Sequence, residues 1–153
     1  MSSPYDVKKH NTYRLASETQ DIRQFHVTLT ITGKAQDQIK AKIWEFYDGK
    51  ELVLDTKDTK IKPGGSFDLQ GKLPKALTIE KQKNGCEYEF TYAQKSDGAR
   101  WFSFSTRDEG FGLAKFKAKT GETPASQTEK YCDESTLTGN NPGTVLECSF
   151  PGW

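Results

Sequence analysis

His10 and His26 are the only two histidines in the chain, and histidine is the side chain best suited to acid–base work near neutrality. His10 lies in a polar stretch and His26 leads an alternating row of threonines on a strand, so neither stands beside an evident catalytic partner. A small ribonuclease-like site would combine His26 with Glu87 or Glu89 and with Arg100 or Arg107. One group would take the 2′-hydroxyl proton while the cations stabilised the phosphorane. The glutamates alternate with Tyr88 and Phe90, however, which is the pattern of a solvated strand face. Asp55, Asp58 and Asp68 are interrupted by lysines and lack the spacing of a calcium loop. Gly110 and Gly112 have no following Lys-Ser or Lys-Thr to make a phosphate loop, and no Gly-x-Ser-x-Gly nucleophile turn exists. The chemistry expected is therefore binding, with no catalytic residue, metal or cofactor.

Aromatic side chains are the remaining resource, at 12% of the chain against only 33% hydrophobic residues in all. They gather in Trp44, Phe46 and Tyr47 and again in Tyr88, Tyr92, Trp101 and Phe102. A two-layer β fold cannot bury both faces of every strand, so some rings must reach the surface, where Trp and Tyr offer contact area with a polar handle. The expected binding residues are Trp101 with Tyr88 and Tyr92 beside Arg100, together with Trp44 and Phe46. Lys and Arg number 22 against 21 Asp and Glu, which leaves no positive excess to drive phosphate-backbone binding, so no nucleic acid partner is expected.

The elements that must position these residues are strands. Phe25, Val27, Leu29 and Ile31 alternate with His26, Thr28, Thr30 and Thr32, a half-buried strand. From Ile39 to Tyr47 a second run places Ile39, Ala41 and Ile43 on one face and Trp44 and Phe46 on the other. The composition of Ala35–Phe46 also allows a helix. Asp48-Gly49 and Asn84-Gly85 are hairpin signals, because a tight two-residue turn needs positive φ at both central positions. Short strands follow at Phe67–Leu69, Leu77–Ile79, Cys86–Tyr92 and Trp101–Phe104, with a last one at Thr144–Phe150. The fold class predicted is all-β, an antiparallel sandwich or small barrel of about eight short strands. Residues 1–21 read as a polar N-terminal arm and 22–153 as a single β domain with a long polar loop at 117–143.

Cys86, Cys132 and Cys148 are too few for a disulfide scaffold and contain no CxxC pair. Cys132 and Cys148 bracket a stretch rich in Thr, Gly, Asn and Pro with little core of its own, where a crosslink helps most. The alternative is three buried thiols in a cytosolic protein.

Stretches of this chain resemble two families. Lys42-Ile43-Trp44-Glu45-Phe46-Tyr47-Asp48-Gly49-Lys50, followed by Phe102-Ser103-Phe104 and Tyr131-Cys132, resembles the Alternaria major allergen family of secreted fungal β-barrel proteins. That resemblance implies a secreted fungal effector or elicitor, its leader removed, that binds a host protein or cell-surface component. It also implies a Cys132–Cys148 bridge as the counterpart of one of that family's two disulfides. Lys62-Pro63-Gly64-Gly65-Ser66, Gly85 to Phe90, Asp97-Gly98 and Pro142-Gly143-Thr144-Val145 resemble aegerolysins in their order. Aegerolysins imply a membrane-lipid partner and a pore-forming companion, although the cysteine-glycine-arginine element of that family is absent here. A carbohydrate-binding domain is a third reading.

Overall fold

In the computed structural model, residues 22–84, 87–93, 100–106, 115–117 and 131–153 are described, and they form ten strands and no helix. β1 (Arg23–Thr32), β2 (Gln38–Tyr47) and β3 (Lys50–Lys60) make two consecutive hairpins. β4 (Ser66–Leu69), β5 (Leu77–Lys81), β6 (Tyr88–Tyr92), β7 (Trp101–Ser105) and β8 (Lys115–Lys117) run as an antiparallel meander. The chain then returns through β9 (Cys132–Leu137) and β10 (Gly143–Gly152), and β10 pairs with β1 along its whole length. The two sheets have the orders β3-β2-β1-β10-β9 and β4-β5-β6-β7-β8. Each keeps two edges, so the architecture is a sandwich and not a closed barrel.

Local sequence accounts for most of these elements. The alternating residues Phe25, Val27, Leu29 and Ile31 form the inner row of β1 and are all buried. Ala35–Phe46 is turn and strand because Ile39, Ala41 and Ile43 supply a matching inner row on β2. Asp48 and Gly49 both adopt positive φ, at 53° and 76°, as the tight turn between Tyr47 and Lys50 requires. The change of apolar face after Ile43 coincides with a bulge. Ile43 pairs with Asp55 and Trp44 with Val53, leaving Leu54 as the extra residue, buried in the core. The β4–β5 connection is stitched to this bulge by Lys72 N–H donating to the Leu54 carbonyl at 2.9 Å. Gly71 makes that approach possible, since a Cβ there would lie 2.3 Å from the Leu54 oxygen.

The interior is built on rings. Phe90 stacks on Phe104 at 4.8 Å within the second sheet, and Phe104 meets Phe150 of the first at 5.4 Å. Phe25, Tyr92 and Phe150 then close a triangle with separations of 5.6 to 5.8 Å. At the other end of the same inner layer stands a charge. Lys81 continues the row Leu77 and Ile79 and is only 1% exposed, and its Nζ donates to the Gln36 carbonyl of the opposite sheet at 2.6 Å. The ammonium also lies 6.0 Å from the centre of the Tyr88 ring. A buried cation is tolerated where it finds acceptors, and this one ties the β1–β2 turn to the second sheet.

The all-β antiparallel sandwich expected from the alternation is what the structure shows, with ten strands, the short polar β8 and β9 among them. One expectation changes. The polar loop placed at 117–143 contains β9, a six-residue edge strand held against β10 by backbone pairing and by the Cys132–Cys148 disulfide. Its mostly exposed side chains are why no alternation marks it. The arm at 1–21, Gly85, Cys86, Asp97-Gly98 and Arg107 lie outside the described residues.

Candidate functional site

Two adjacent strands can share an aromatic cluster only if their rings leave the same face of the sheet. Tyr92 pairs with Phe102 across β6 and β7, so Trp101 lies on the opposite face from Tyr92. Tyr88, Phe90 and Tyr92 occupy alternate positions of β6 and all point into the sandwich, each buried. The expected surface cluster of Trp101, Tyr88 and Tyr92 is therefore not assembled. Trp101 is half-buried against the edge of the core. Arg100 stands apart from Tyr88 as well, with its guanidinium 5.2 Å over the ring of Trp153.

Tyr92 is a structural tyrosine. Its ring packs against Phe25 and Phe150, its edge meets Trp153 at 5.2 Å, and its hydroxyl donates to the Trp153 carbonyl at 2.8 Å. Burial, only partly offset by a Lys75 backbone hydrogen bond and the nearby Arg23 charge, pushes its pKa up to about 12. The folded state thus holds the phenolic proton where the unfolded chain releases it near pH 10. This contribution is complete below about pH 10 and is lost progressively as pH rises to about 12, at most roughly 3 kcal/mol. Urea unfolding across that range should show stability falling with pH in the wild type and a flatter profile in Tyr92→Phe. Equal slopes would show that Tyr92 does not titrate with unfolding.

The other expected pair, Trp44 and Phe46, does come together, on the outer face of the first sheet. Trp44 lies directly across from His26, and His26 directly across from Ser149. The imidazole stacks on the indole at 4.4 Å with an interplanar angle of 21°. Phe46 sets its edge against both, at 5.6 Å from His26 and 5.1 Å from Trp44. On its far side His26 Nδ1 shares a hydrogen bond of 2.7 Å with Ser149 Oγ. Both partners are buried, and the bond satisfies two polar groups that the sheet has taken from water. A serine and histidine at this distance have the beginnings of a nucleophile and base, and their bond ties β1 to β10.

Exposure increases toward the hairpin tip. Trp44 is 6% exposed, whereas Phe46 is 48%, Tyr47 68% and Val53 39% exposed. Val53 faces Trp44 across the β2–β3 ladder, so it joins the same outer surface. Lys42 reaches along this surface, with its Nζ 5.9 Å from the Trp44 ring and 2.7 Å from Glu51. Arg23 makes a two-pronged pair with Glu45, one contact of which is 3.1 Å, at the same end of the sandwich.

Among the described residues, no three His, Cys, Asp or Glu side chains come together as a metal would require. What the arrangement can do is present a rigid, mostly aromatic surface with compensated charges. Comparison with known proteins adds nothing to this geometry. No family model, curated protein or solved structure matches the chain.

Sequence reasoning identified Trp44 and Phe46 but did not foresee Val53 or Ser149. Val53 sits in an ordinary apolar triplet, Leu52-Val53-Leu54, and only the bulge decides that Leu54 enters the core while Val53 stays outside. Ser149 is separated from His26 by 123 residues, and nothing local marks it.

Proposed function

We propose that this is a small secreted fungal protein of the effector or elicitor kind, which acts by binding a host component without catalysis. Its contact surface is the β2–β3 hairpin end, formed by Phe46 and Val53 beside Trp44 and His26 on the outer face, with Tyr47 leaving the other face of the same tip. One observation carries this reading: among the described residues, the large apolar side chains that are exposed are Phe46, Tyr47 and Val53, and all belong to one hairpin. Single exposed hydrophobics are ordinary, but a group of them on a well-paired element marks a contact surface. The Cys132–Cys148 disulfide supports an extracellular setting, since such bridges persist under oxidising conditions.

A membrane surface is the second reading, favoured by the placement of Tyr47 and Lys50 on either side of the exposed turn. Amphipathic rings and a lysine suit headgroup depth. A glycan array beside a liposome pull-down separates the two. The double substitution Phe46→Ala/Tyr47→Ala should cost about 1–2 kcal/mol, most of it from the edge contacts of Phe46 with His26 and Trp44, and leave the domain folded. It should weaken binding at least about tenfold, as loss of an aromatic hot spot does. If Trp101→Ala abolishes binding and the double substitution does not, the working surface is on the second sheet and this assignment is wrong.

A further inference from the structure

We infer that the ligand of this hairpin surface is a neutral saccharide, with the Gln24 amide supplying its hydrogen bonds. The inference rests on reading the hairpin end as the binding face. Gln24 is 6% exposed, and neither its Oε1 nor its Nε2 has a hydrogen-bond partner. Native proteins leave few buried polar groups unpaired, because desolvation without compensation is costly. Gln24 precedes His26 by two residues on β1, so its side chain leaves the sheet on the same outer face as His26, Trp44 and Ser149. The unpaired amide therefore belongs to the aromatic surface and not to the sandwich core.

The chemistry of that amide narrows the ligand. It offers an acceptor and two donors together, so its complement must both donate and accept. A hydroxyl does both, whereas a phosphate or carboxylate only accepts and an ammonium only donates. The charges around the surface agree. On this face Lys42 pairs with Glu51, and Asp48 and Lys50 bring one charge of each sign to the turn. Two cations against two anions leave no net field to favour an anionic headgroup.

A peptide also donates and accepts, but an extended peptide gains its affinity by adding to an open sheet edge. β1, which carries Gln24, has no open edge, being flanked by β2 and β10, whereas β3 is an edge of the same sheet. Strand addition by a peptide would therefore leave the Gln24 amide untouched and is told apart from sugar binding by Gln24→Leu. The ring of Phe46, on the same face as Gln24, can take the C–H face of a sugar, since the ring face carries the negative end of the aromatic quadrupole. A sugar reaching the buried amide must displace a neighbouring side chain, and we assign that movement to Phe46, which is half exposed and meets the cluster by its edge.

The test is calorimetric titration of the full chain with laminarin-, chitin- and mannan-derived oligosaccharides, and with a sulfated oligosaccharide as the anionic control. At least one neutral sugar should bind, with an affinity that changes less than about twofold on adding salt. Gln24→Leu should weaken it at least about tenfold, as when a site loses the groups that pair with substrate hydroxyls. The unliganded variant should melt no lower than the wild type. Binding of no neutral sugar, preference for the sulfated one, or unchanged affinity in Gln24→Leu would each overturn the inference. Should Gln24→Leu fail to fold, the side-chain amide resonances of Gln24 in the wild type give the same answer, because they must shift on sugar titration. If no sugar binds yet Phe46→Ala/Tyr47→Ala abolishes binding to vesicles or to a purified protein, the hairpin surface stands and the saccharide assignment falls. If that double substitution leaves all binding unchanged, both fall together.

Discussion

Phe104→Ala is expected to destabilise the domain by about 3–5 kcal/mol, the upper range for truncating a single core side chain. Phe104 is buried and is the ring through which the two sheets meet. It stacks on Phe90 at 4.8 Å and lies 5.9 Å from Phe102 on its own strand. Across the interface it meets Phe150 at 5.4 Å and Tyr131 at 5.5 Å. Removing the ring leaves a cavity among rigid rings, which cannot collapse into it as flexible aliphatic side chains would. Typical domains are stable by only about 5–15 kcal/mol, so this change consumes a large share and should leave a partly unfolded population. Denaturant melts give the measurement. A loss below about 1 kcal/mol would mean that the inter-sheet core lies elsewhere, since well-packed aromatic sites do not relax so completely.

Opening the Cys132–Cys148 bridge should cost about 3 kcal/mol, the chain-entropy value for a loop of this size. The two cysteines are separated by 16 residues and face each other directly across β9 and β10. β9 buries little besides Cys132, while Glu134, Ser135 and Thr136 are exposed, so packing alone holds this edge strand weakly. Replacing both cysteines by alanine should lower the denaturation midpoint and strip hydrogen-exchange protection from β9 first. Retained protection in β9 with an unchanged midpoint would show that backbone pairing suffices. Intact mass after alkylation, with and without reduction, should report one bridge and one thiol, Cys86 being the remaining cysteine.

Much of the fold was legible because its determinants are close together in the chain. The alternation from Phe25 to Ile31 identifies both the strand and its buried face, since a strand places every second residue on one side. The Asp48-Gly49 turn was readable for a similar reason, positive φ being a property of the residues themselves. The bridge between Cys132 and Cys148 follows from a stretch poor in core-forming residues, and the structure contains it. The edge strand inside that stretch escaped notice because β9 carries no alternation to read.

What the sequence by itself determined is the class of the fold and the inner rows of its best-patterned strands, for period-two alternation and turn chemistry act over a few residues. Tertiary structure alone decided which rings reach the surface. Tyr88 and Tyr92 share the face of Phe90, and the pairing of Tyr92 with Phe102 sends Trp101 to the other side. Lys81 continues an apolar row into the interior because a carbonyl of the opposite sheet is there to receive its ammonium. The stack of Trp44 on His26, and of His26 against Ser149, exists because β1 is paired on both sides by strands from opposite ends of the domain. Strand register couples residues far apart along the chain, and a local pattern carries no record of which distant strand will lie beside it.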